Sequence, residues 1–394
     1  MIIYAVPFII SLFGYFLNIN ESQKKKIIYL FTVFTCLLLI ATLKAPSVGT
    51  DMRTFYIPYY PQFANVSWDN VQHVTNSEHW ELGYCLYCKF LCQFSTEPQF
   101  FIFVTSIITV VPFALFIYKN SEDVVFATVY YIGFHIYTML LSPARQAIAV
   151  AIIVAFGYEQ LKRKNYIKYC IVVYIAYLFH SSAICAVILL VCDFLKFNKK
   201  SVGWLTLGVA FFAVSYSTII PYLVRSIGLS SAYDIYTIGQ KHAKGYITIH
   251  TLSSFLIPLM IFLIFARWYD PEKECYLSEN GKVKRKWVLG SRLCLVRKEY
   301  PVAWHGGILA YGTFLIVLFR FCAFLVNVIA RMSFYFMPFI MISYPFARRC
   351  AEDNTTKKNL DIIVYGSLIL FFFYILIFRA ESLWGIVPYR FFWE

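Results

Sequence analysis

The 394-residue chain is 60% hydrophobic and 20% aromatic, with only 14% charged residues. A soluble domain carries about 25% charged residues, so this chain lacks the polar surface that water demands. Its formal net charge of +14 does not point to nucleic acid, because the basic residues sit in short connecting segments, the distribution that sets membrane topology.

The apolar blocks run to roughly 17–23 residues, the length that crosses ~30 Å of hydrocarbon. A β-barrel would show ~10-residue alternating segments instead. The sequence therefore predicts an all-α, polytopic integral membrane protein forming one membrane domain over 1–394. About twelve spans are expected, at 2–17, 27–43, 99–118, 124–141, 145–158, 166–180, 183–195, 201–220, 251–267, 304–322, 328–347 and 360–379. The first block has Lys24, Lys25 and Lys26 behind it and no basic stretch ahead. It reads as a retained helix with its N-terminus outside.

The loops then alternate. The lysine cluster at 24–26, Lys119, the KRK at 162–164, the KFNKK at 196–200, segment 268–303 and the basic residues at 348–358 fall on one side. With Lys168 and Arg267 that side holds 24 of the 35 Lys and Arg residues. The bias assigns it to the cytoplasm and places both termini outside. Two long outer segments follow, 44–98 and 221–250. Within the first, ELGYCLYCKFLCQF (81–94) reads as a short interfacial helix. Its Cys85, Cys88 and Cys92 share one face, which cannot supply the four ligands of a structural zinc site, so they read as packing. The Tyr-rich SAYDIYTIGQKH of the second is expected to cap the bundle. The cytoplasmic 268–303 segment, with KVKRKW, reads as a topology anchor on anionic lipid.

Chemistry is expected among the outer polar residues, which topology does not require. Cations there oppose the positive-inside bias, a cost that often marks function. Arg145 opens a helix after Pro143 in LSPARQAIA, beside Gln146. A guanidinium next to free helix N–H groups is a ready anion cradle. Arg331 enters the eleventh span in RMSFYF, with Arg320 leaving the tenth. Arg390 lies in VPYRFF, where Pro388 and Tyr389 suggest a tail folded back on the outer face. Several such arginines converging on a diphosphate would bind it strongly. Candidate bases are Asp51 in GTDMR, Glu81 in WELGY and His180 in LFHSSA. His135, midway through the fourth span, reads as packing. Glu159, Asp193 and Asp361 all fall at cytoplasmic ends, so no predicted span holds the midplane carboxylate of an ion-coupled transporter. HExxH, P-loop, GxSxG and DxD signatures are absent, which weighs against metalloprotease, NTPase, serine hydrolase and nucleotide-sugar transferase chemistry.

In chain order, SVGTD…Y (47–56), WELGY (80–84), ARQAIAVAI (144–152), FHSSA (179–183), RMSFYF (331–336) and VPY (387–389) resemble the EpsG family. These are bacterial membrane proteins related to the Wzy polymerases of O-antigen, capsule and exopolysaccharide. The resemblance implies a GT-C-like, inverting membrane glycosyltransferase of the cytoplasmic membrane that needs no metal or other cofactor. Its donor and acceptor would be undecaprenyl-diphosphate-linked oligosaccharides, with a chain-length regulator as a possible partner. The matching positions give Asp51 as first candidate base, His180 second and Glu81 third. Arg145 and Arg331, supported by Arg53 and Arg390, would hold diphosphate; Gly49, Tyr56, Tyr84, Gln146, Ser181 and Tyr389 would contact substrate. A lipid-linked glycan ligase, or a flippase for the same lipid-linked unit, stays open as an alternative.

Overall fold

The computed structural model describes residues 1–72, 74, 80–226, 245–268, 275–276, 284–285, 304, 306–351 and 353–394. The SAYDIYTIGQKH stretch and most of segment 268–303 lie outside the described residues. The described chain is mainly helical, with a two-residue antiparallel ladder, Cys275–Tyr276 with Lys284–Arg285, and a single antiparallel bridge between Lys44 and Phe391.

Among the described residues, four helices are long and apolar enough to cross a membrane: Gln23–Thr42, Pro98–Asn120, Ile249–Arg267 and Asn354–Phe378. A fifth is bent by 52° between Asn327–Tyr335 and Met337–Cys350. Several of the other expected spans take shorter or broken forms. Span 124–141 divides into Val124–Gly133 and Ile136–Leu140, because His135 takes a left-handed backbone (φ 60°). Both ring nitrogens are partnered inside the bundle: Nδ1 meets the Thr138 hydroxyl at 2.9 Å and Nε2 meets the Phe372 carbonyl at 3.1 Å. His135 is thus a packing residue, as expected. Span 145–158 instead continues as one helical run, Ala144–Ile152 leading through a wide π-turn into Tyr158–Lys162. Residues 183–195 begin as a tight 3-10 turn, Ser181–Val187, before Ile188–Phe194 becomes α-helical.

The bundle has an inner and an outer layer. Every residue of Val124–Gly133 is buried, and it packs against Ile2–Phe13, Ile340–Cys350 and Asn354–Phe378. A helix apolar on all sides can only lie inside protein or lipid, and this one lies inside protein. Asp123 starts it by accepting the backbone N–H groups of Val125 and Phe126 at 3.1 and 3.0 Å. Gly306–Cys322 is buried along most of its length in the same layer. The peripheral helices turn Phe31, Ile167, Phe211 and Leu370 outward, each at least 70% exposed. Such a belt is stable only against lipid.

Segment 44–98 is more than a loop. Tyr56, Tyr60, Phe63, Trp80, Tyr84, Cys85 and Cys88 form a second core that seats on Phe101 and Ile102 of the Pro98–Asn120 helix. The expected 81–94 helix is present as Leu82–Leu91, with Cys85 and Cys88 buried in that core. Cys92 donates its thiol to the Tyr60 carbonyl at 3.3 Å. The tail folds back, as expected: Ala45 N–H donates to the Arg390 carbonyl (2.8 Å) and Phe392 N–H to that of Leu43 (3.0 Å).

Candidate active site

The polar residues gather where the second core meets the bundle. Glu81 stands just before Leu82–Leu91, and its carboxylate makes no cap to that helix. The next turn is locked to another helix end, because the Gly83 N–H donates to the Leu178 carbonyl at 2.7 Å. A Cβ on Gly83 would stand 2.7 Å from that oxygen, so glycine is required by the close approach. The lock brings Glu81 to His180, two residues beyond Leu178. Glu81 Oε1 accepts from the Ser181 N–H at 3.0 Å and lies 3.2 Å from His180 Nδ1. Glu81 Oε2 accepts from Arg145 Nη1 at 2.7 Å. Arg145 also lies over the Tyr56 ring at 5.9 Å, and Tyr56 packs edge-on against Tyr84.

Burial would raise the Glu81 carboxyl, but the His180 hydrogen bond, the Arg145 charge and the Ser181 N–H outweigh it and hold it at about 2. Both its oxygens are engaged, so among the three candidate bases Glu81 is the one least able to accept a proton. Its geometry instead fixes Arg145 and turns His180 Nδ1 toward a carboxylate, leaving Nε2 as the nitrogen able to accept a proton.

Asp51 is held differently. Gly49 takes φ 105°, a region open to glycine, and its N–H donates to the Gly385 carbonyl at 2.9 Å. The turn presents Asp51, whose N–H donates to Ser142 Oγ at 3.1 Å. Its carboxylate has Arg331 Nη1 at 4.0 Å, with the Arg331 side chain 49% exposed. Asp51 therefore keeps far more freedom than Glu81. Gln146 joins the two halves: it follows Arg145 in sequence and donates Nε2 to the Arg331 carbonyl at 2.9 Å. Ser182 and Tyr335 add a hydroxyl pair at 3.0 Å.

Asp51, Glu81, Arg145, Gln146, His180, Ser181 and Arg331 thus come together from five separated segments, with Gly49, Tyr56 and Tyr84 supporting them. Arg53 and Arg390 are exposed, and among the described residues no side-chain contact ties them to the cluster. Tyr389 faces away: its hydroxyl donates to the Ile40 carbonyl at 3.0 Å and its ring meets Tyr4 edge-on. It anchors the tail.

Two residues of the site escaped the sequence reading. Ser142, in LSPAR, holds the Asp51 backbone. Lys44 is buried and donates Nζ to the carbonyls of Val48 and Leu141; burial lowers its ammonium to about 7. It clamps the turn that carries Asp51. The signal for Lys44 was its place among the few outer cations, but nothing in sequence shows that it points inward.

No curated protein and no solved structure matches the chain. The EpsG family pattern matches residues 27–391, from the second expected span through the folded-back tail, and this chain belongs to the EpsG family.

Proposed function

We propose that this protein is a Wzy-type polysaccharide polymerase. It joins oligosaccharide repeat units carried on undecaprenyl diphosphate at the outer face of the cytoplasmic membrane, by inverting transfer without a metal. The observation that carries this reading is the cluster of Asp51, Arg331, Arg145, Glu81 and His180 in a chain of the EpsG family. The twelve-span topology with both termini outside, and the GT-C-like architecture, belong to the same reading.

In the proposed step, the non-reducing-end hydroxyl of the acceptor unit attacks the donor's anomeric carbon from the side opposite its diphosphate. The bond from carbon to diphosphate oxygen breaks and undecaprenyl diphosphate departs with the electron pair. Asp51 takes the hydroxyl proton, since its carboxylate is the freer of the two in the cluster. Arg331 and Arg145 neutralise the charge that develops on the leaving diphosphate, with Arg53 and Arg390 assisting from the exposed rim. Tyr56, Ser181 and Gln146 shape the sugar subsites. An apolar cleft of about 430 Å3 opens beside Ser182, lined by Ile184, Ile188, Val191, Trp204 and Phe212. It has room for part of the carrier's isoprenoid tail.

One observation favours a second assignment of the base. The Glu81–His180 contact orients an imidazole as a carboxylate does in a hydrolase triad. Turnover of purified lipid-linked repeat units decides between them. Asp51→Asn is expected to bind donor and form no polymer, while His180→Gln retains measurable polymerisation. Full activity of Asp51→Asn with a dead His180→Gln would move the base to His180. Full activity of both, together with Arg331→Gln, would remove the cluster from catalysis.

A further inference from the structure

Arg320 is 7% exposed, its Nε has no hydrogen-bond partner, and among the described residues no carboxylate pairs with it. Its guanidinium lies over Phe134 at 5.7 Å and Phe334 at 5.2 Å. A charge buried without a counter-ion is costly, and cation–π contacts offset only part of that cost. Arg379, which ends the Asn354–Phe378 helix, likewise has a buried Nε with no partner. His250 lies within electrostatic reach of both guanidiniums. Its ring stacks on Phe371 at 6.2 Å and meets Trp384 edge-on at 6.5 Å, and Phe371 in turn meets Phe134 at 5.4 Å. Arg320 and His250 thus sit on one connected set of aromatic rings, with Arg379 within electrostatic reach of His250 and, among the described residues, neither guanidinium Nε hydrogen-bonded. A buried cationic group of this kind is complemented by an anion.

The position of this group gives the anion its identity. Phe334 under Arg320 belongs to the same short Asn327–Tyr335 segment as Arg331, which faces Asp51. On the other side, Gly385 follows Trp384 and packs against Thr50, the residue before Asp51. The Arg320 group is thus linked to the Asp51 turn through the Asn327–Tyr335 segment, which carries Arg331, and through Trp384, whose neighbour Gly385 packs on Thr50. We infer that Arg320 and Arg379, with His250, form a second diphosphate-binding site, which holds one of the two lipid-linked substrates while Arg331 and Arg145 hold the other. The inference rests on the polymerase reading, because joining two carrier-linked units requires two diphosphates to be held at once.

Native mass spectrometry of the full chain in phosphatidylcholine nanodiscs, titrated with undecaprenyl diphosphate, tests it by counting. The wild type is expected to bind two molecules, Arg320→Gln and Arg379→Gln one each, and Arg320→Gln combined with Arg331→Gln none. A count of one in the wild type, or of two in both single variants, overturns the inference. Arg379→Gln carries the test if Arg320→Gln does not fold, since Arg379 is only half-buried. Repeating the titration in phosphatidylglycerol nanodiscs separates the sources: loss of the second molecule there makes the site one for anionic headgroups and also overturns the inference. Counting requires no turnover, so a wild type that makes no polymer from repeat units overturns the polymerase reading instead.

Discussion

At the scale of single residues, two carboxylates in one site have been given different work by their surroundings. Glu81 accepts from Arg145, His180 and the Ser181 N–H, while Asp51 has only Arg331 at 4.0 Å and a backbone tie to Ser142. Glu81 therefore positions other groups. Glu81→Gln leaves the largely buried Arg145 without its counter-charge, which is expected to cost about 3 kcal/mol. Denaturation in detergent against the wild type measures it. The sign of its pH dependence follows from the carboxyl being lowered from 4.5 to about 2. The stabilisation is fully present above pH 4.5 and is lost as pH falls through about 2. The gap between wild type and Glu81→Gln should close over that window and stay constant above it.

At the scale of elements, the site depends on close approaches that hold separate segments in register. Gly83 seats the Leu82–Leu91 helix directly on the end of Tyr166–Tyr177, and that contact sets the distance from Glu81 to His180. Gly83→Ala places a Cβ 2.7 Å from the Leu178 oxygen, so the two helix ends must separate. The expected cost is about 1–3 kcal/mol. Because a shift of about 1 Å at a reacting group can lower a rate by 10²-fold, polymerisation should fall on the order of 10- to 100-fold in that variant. Wild-type turnover by Gly83→Ala would show that the Glu81–His180 spacing does not matter. The folded-back tail acts in the same way, since its Gly385 carbonyl holds the Gly49 turn and its Arg390 carbonyl holds Ala45.

At the scale of the whole molecule, a buried inner layer carries short and broken helices while the long apolar ones lie around it. A helix need not run unbroken through the membrane when its freed backbone groups find partners: at the break after Gly133 the His135 N–H donates to the Ile132 carbonyl at 2.9 Å and the Thr138 hydroxyl donates to the His135 carbonyl at 3.3 Å. The basic loops predict the orientation. Single cysteines placed at Arg163 and Lys164 should react with a membrane-impermeant maleimide only after the membrane is opened. Cysteines at Arg53 and Arg390 should react in intact cells. The reverse pattern would invert the topology and place the Asp51 cluster on the cytoplasmic side, away from lipid-linked units that have already crossed.

The sequence by itself determined the helical membrane class, because apolar blocks and basic loops are local properties that no tertiary contact can reverse. It also singled out Asp51, Glu81, Arg145, His180 and Arg331, polar groups where topology asks for none, which the structure gathers into one cluster. Their division of labour was not legible. Which carboxylate is spent on ion pairs and which stays freer depends on contacts between residues far apart in the chain, Glu81 with Ser181 and Asp51 with Arg331. The inward turn of Lys44, the packing role of Tyr389 and the unpaired state of Arg320 were hidden for the same reason. Composition says that a charge is present; only the packing of several segments around it decides whether it meets a partner, water or an empty place for a ligand.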